Sequence, residues 1–69
     1  MTPEEAKEYE GKEVKISTRN KPVLRYRGII LSVGQDSLWI NDRFEGKLNI
    51  SLSNIGLFVP INNSGEHHA

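Results

Sequence analysis

Residues 25–42 read RYRGIILSVGQDSLWIND, and the fold turns on how this stretch is parsed. Arg25, Arg27, Ile29 and Leu31 alternate with Leu24, Tyr26, Gly28 and Ile30. That is the two-residue period of a β-strand, in which successive side chains point to opposite faces. A glycine inside such a run marks a bend or bulge, so Gly28 is expected at a sharp turn of the strand. Past it both faces are apolar, as in a strand entering a curled sheet. Gly34-Gln35-Asp36-Ser37 is turn chemistry. Leu38 and Ile40 then share one face of a third strand, with Trp39 on the other.

Working outward, Val14 and Ile16 alternate with Glu13, Lys15 and Ser17, which predicts a first strand before the turn Arg19-Asn20-Lys21-Pro22. Leu48, Ile50 and Leu52 alternate with Asn49 and Ser51 as a fourth strand. A tight turn at SNIG leads to a short fifth strand, LFVPI, where Pro60 suits a sheet edge. The N-terminus predicts a helix over about residues 3–10. Thr2 is placed to cap it, Pro3 suits its first position, and Thr2 with Glu5 has capping-box spacing. Ala6 and Tyr9 are its apolar anchors, and Gly11 ends it. The expected class is mainly β: a short helix, then five strands curled into a small SH3-like barrel. One domain spans residues 1–62, and residues 63–69 form a flexible polar tail.

Composition narrows the function. The 69 residues hold no cysteine, which excludes disulfides and thiolate metal sites. A chain this short buries only about 60% of its unfolded surface, so its stability is marginal. No apolar run approaches the roughly 18 residues of a membrane span, and the acidic N-terminus is no signal peptide; the expectation is a soluble, cytoplasmic protein. Nine basic and nine acidic side chains cancel, but unevenly. Residues 1–10 carry Glu4, Glu5, Glu8 and Glu10 against Lys7, a net −3, while residues 11–47 carry a net +4. Catalysis finds no constellation, since a nucleophile needs a base beside it and the histidines are His67 and His68 in the tail. No enzyme, cofactor or metal site is expected.

The candidate site residues are basic and aromatic. Arg19, Lys21, Arg25 and Arg27 form a run, with Lys15 on the adjoining strand. Arg25 and Arg27 project from one face about 6–7 Å apart, close to the phosphate repeat of an extended single strand of nucleic acid. The alternative is a solvated face that guards against aggregation. Trp39 and Phe44 are candidates for base stacking; the alternative is burial or an interface for Trp39 and a barrel-end cover for Phe44. Asn41, Asp42, Ser53 and Asn54 suit either base contacts or turns.

The helix followed by these strands resembles the Sm-like family, which includes the bacterial Sm-class RNA chaperone. The likeness covers about residues 4–61. EYEGKEVKIST resembles the family's helix leading into GKxVxV, and YRGIIL its xxGxL segment, with Gly28 at the strongly bent strand. SLWIND takes the place of MNLxLxD, and GKLNISLSNIGLFVP resembles the final pair of strands. The family's RNA-pocket residues are not reproduced. Gly34 or Asp36 takes the Asp place, Leu38 stands where Asn is expected, and Leu52-Ser53 or Ser53-Asn54 replaces Arg-Gly. The resemblance implies an SH3-like barrel, single-stranded RNA as partner, and a homo-oligomer that self-associates through the last strands, between Ile55 and Ile61. The other class of function is a protein-interaction or assembly module that uses the barrel edge without nucleic acid.

Overall fold

The computed structural model describes residues 1–61. Helix α1 (Pro3–Lys7) precedes β1 (Glu13–Thr18), β2 (Arg25–Val33), β3 (Ser37–Asp42) and β4 (Gly46–Ser51). A 3₁₀ turn (Leu52–Asn54) then leads into β5 (Ile55–Pro60). The capping box forms: Thr2 Oγ1 accepts from the Glu5 N–H at 3.2 Å, and Glu5 Oε1 accepts from the Thr2 N–H at 3.0 Å. The helix is shorter than the sequence predicts, with Glu8 as its C-cap. Ala6 is fully buried and Tyr9 packs edge-on against Phe58, ring centroids 5.3 Å apart. Those two anchors dock the segment on the sheet, and Gly11, at φ +80°, turns the chain so that its N–H donates to the Ile30 carbonyl at 2.8 Å.

All the strand pairs are antiparallel, in the order β4-β3-β2-β1-β5. The first four strands meander and the fifth returns beside the first. That return demands curvature. Edge to edge, a flat sheet of five strands measures about 19 Å, while the few residues from β4 to β5 reach about 14 Å at most. The sheet therefore curls until its two edges approach at the 3₁₀ turn, which the Leu52 N–H pins to the Asp36 carbonyl at 2.8 Å. Curling stops short of closure: no ladder joins β4 to β5 among the described residues, so the expected barrel is an open sheet with two free edges.

The concave face holds the core. Val14, Ile16, Ile30, Leu38 and Ile40 are fully buried there, joined by Val33, Ile50, Leu52 and Ile55. On β1 and β3 these are the residues of one alternation phase, while on β2 the phase changes between Ile30 and Val33 at a bulge. Gly28 faces the same side, and a Cβ on it would lie 1.9 Å from the Asn41 carbonyl oxygen. Its glycine is thus required by close approach of β3. Beyond it both faces of β2 are apolar, as the sequence reads, but the strand does not leave the surface. Ile29 and Leu31 stay on the convex side, 45% and 44% exposed. A bulge between Ile30 and Ser32 sets both Leu31 and Ser32 against the Trp39 region of β3. The tail expected over residues 63–69, with His67 and His68, lies outside the described residues.

Candidate functional site

Register places the basic residues. Lys15 is opposite Arg27 and Ser17 opposite Arg25 across β1 and β2. On the other side of β1, Lys15 is opposite Val59 and Ser17 opposite Leu57. Directly paired residues share a face, so two rows, Arg27–Lys15–Val59 and Arg25–Ser17–Leu57, cross the convex surface of three strands. They line an open groove of about 510 Å³, with Leu57 and Val59 on the β5 side and Phe44 on the β2 side.

Phe44 reaches the groove because of Asp42. The Asp42 carboxylate is buried and accepts three backbone N–H bonds, each 2.9 Å: Arg27 to Oδ1, and Phe44 and Glu45 to Oδ2. The Arg43 N–H donates to the Arg27 carbonyl at 2.9 Å. The β3–β4 turn is thereby tied to β2 beside Arg27. Burial alone pushes the Asp42 carboxyl up, but the N–H donors of Glu45, Phe44 and Arg27, with the Arg43 charge, outweigh it and hold it below its ordinary value. Phe44 itself is 88% exposed, with the Arg43 guanidinium 6.0 Å from its ring centre. It does not fold back over the sheet end; it stands in solvent at the groove's rim.

The cations differ in commitment. Arg27 Nε donates to Glu13 Oε2 at 2.9 Å, a half-exposed ion pair that offsets part of its charge. Lys15 and Arg25 are exposed, and no carboxylate pairs with either among the described residues. Arg19 does not belong with them. Its N–H donates to the Asn54 carbonyl at 2.8 Å and its Nε to the Ile55 carbonyl at 3.2 Å, so it fastens the end of β1 to the 3₁₀ turn. Lys21 lies in the exposed β1–β2 loop and does not line the groove.

Trp39 is 46% exposed on the same convex face. It lines a second, shallower depression with Leu31, Ser32 and Lys47. Of the polar candidates, Asn54 Oδ1 accepts the Asn20 N–H at 3.1 Å and Ser53 Oγ bonds Ser51 Oγ at 2.9 Å, both local turn roles. Asn41 is exposed, between Ile29 and Lys47 in register. Leu57 and Val59 are groove residues that sequence reasoning did not single out. Their alternation with Phe58 carried the signal, but only pairing with β1 sets them beside Lys15. No cluster of metal-ligating side chains occurs among the described residues, and no helix there is long and apolar enough to cross a membrane.

Comparison with known proteins finds no matching family model, no matching curated protein and no matching solved structure.

Proposed function

We propose that this chain is a small non-enzymatic module of Sm-like type that binds single-stranded nucleic acid, RNA in the first place, in the groove of Lys15, Arg25, Arg27 and Phe44. The observation that carries the reading is the meeting of these residues, which come from β1, β2 and the β3–β4 turn, on one exposed surface. Lys15 and Arg25, which have no ion pair among the described residues, offer phosphate contacts, and an exposed ring beside them offers a stacking platform. The order of one helix and five strands, with a short turn before the last, supports the Sm-like reading. The test is fluorescence anisotropy with labelled oligo-uridylate across a salt series. Neutralising two phosphates on a single strand gives a log–log salt slope of about −1.4. Lys15→Glu with Arg25→Glu is expected to abolish binding; unchanged affinity would end the proposal.

The open edge of β5 favours a second reading, a protein-interaction or assembly module, which includes self-association between Ile55 and Ile61. Leu57 is 58% exposed on that strand. The Ile61 N–H donates to the Glu13 carbonyl at 2.9 Å, so alternate residues of β5 face β1, and the N–H of Phe58 faces the open edge. Pro60, in the same phase, has no N–H to offer there. An edge partner would bind with little response to salt, in contrast to a polyanion.

A further inference from the structure

Along β2 the outward positions continue past the groove. Arg25, Arg27, Ile29 and Leu31 lie on one face of the strand, all partly or fully exposed. They span about 20 Å at the rise of a β-strand. On β3 the matching outward positions are Asn41 and Trp39, with Lys47 and Asn49 opposite them on β4. One end of this surface carries Phe44 and the other carries Trp39. Between the rings lie the Arg27 side chain, the exposed Asn41 amide and Lys47. The bulge at Leu31 keeps the Trp39 indole open by setting the small Ser32 opposite it.

We infer that the site is a continuous track for about four nucleotides of a single strand, running from Phe44 to Trp39 along the convex face of β2 and β3. This rests on the nucleic-acid reading above and extends it to a length and a second stacking end. The chemistry selects the occupant. Two exposed rings, Phe44 in the turn and Trp39 three residues (about 10 Å of strand) back from the end of β3, can each take the face of an unpaired base, which a duplex does not present. Lys15, Arg25, Arg27 and Lys47 against Glu13 and Asp42 leave the track a net positive charge that suits a polyanion. Asn41, midway, has both a donor and an acceptor for a base edge. A purely apolar docking face would have no use for that spacing of charge and amide.

The chain has a single tryptophan, so its emission reports this end of the track alone. Oligo-uridylates of two to eight nucleotides are titrated at low salt, following both anisotropy and Trp39 fluorescence. Affinity is expected to climb up to about four nucleotides and then level off. Strands of that length quench Trp39, and dinucleotides do not. Trp39→Ala is expected to weaken the tetranucleotide about tenfold and leave the dinucleotide unchanged, while Trp39→Phe retains most of the affinity. If the dinucleotide already binds at full strength and Trp39→Ala changes nothing, the track is wrong and the groove alone is the site. If no length binds and Lys15→Glu with Arg25→Glu has nothing to abolish, the nucleic-acid reading falls with it and the face belongs to a protein partner.

Discussion

Asp42 and Phe44 make a pair in which one residue is structural so that its neighbour can stay exposed. Removing the carboxylate leaves three backbone donors without their acceptor. Asp42→Ala is expected to cost about 2–3 kcal/mol, read from urea unfolding. Its pH dependence follows from the lowered carboxyl. The stability it contributes is present above the ordinary value of 3.8 and is lost as pH falls through the lower folded-state value. Acid titration of stability is therefore expected to be shallower in Asp42→Asn than in the parent chain. Phe44→Ala should behave oppositely. Its ring touches little, so stability should move by less than about 0.5 kcal/mol, while oligonucleotide affinity should drop about tenfold. At this scale the sequence spoke clearly about residue type and poorly about role. Asp42 in a turn was open to two readings, and only its hydrogen bonds separate them.

At the scale of elements, β2 organises the molecule. It pairs with β1 and β3, its convex side carries the arginines, and its concave side contributes Ile30 and Val33 to the core. Gly28 is the position that lets β3 cross so near. Gly28→Val is expected to abolish cooperative unfolding, because a Cβ 1.9 Å from the Asn41 carbonyl oxygen meets backbone, which cannot step aside as a side chain could. A normally folded variant, by circular dichroism and thermal melting, would show that β2 and β3 can separate there. The capping box of α1 was legible from Thr2 and Glu5, since it is made within one turn. The helix's length was not, because Tyr9 leaves the helix to pack on Phe58, a contact 49 residues away in the chain.

The whole molecule is neutral, yet its charge is segregated. The acidic helix and the basic groove lie on different segments, so binding to a polyanion depends on local field and not on net charge. Raising salt from about 50 to 200 mM should cut affinity several-fold through two or three phosphate contacts. The two free edges of the open sheet are the other property that belongs to the whole. On the self-association reading, a stable ring or dimer through β5 appears in sedimentation equilibrium of the chain without nucleic acid. A monomer there would leave the groove reading intact and remove self-association through the edge.

Strand existence, the alternation that divides β1 and β3 into a buried and an exposed face, the turn at Gly34-Gln35-Asp36 and the helix cap were settled by the sequence. Each depends on residues within a few positions of one another. The groove was settled only by the tertiary structure. Arg19 and Arg25 look alike in a run of basic residues, but the side chain of one is spent on the Ile55 carbonyl at the start of β5 and that of the other, opposite Ser17, has no ion pair among the described residues. Leu57 and Val59 join Lys15, and Phe44 joins Arg27, through hydrogen-bond registers between segments far apart in the chain. Local pattern carries no information on register between distant strands, since the same alternation fits every second offset; packing of the shared core selects one of them.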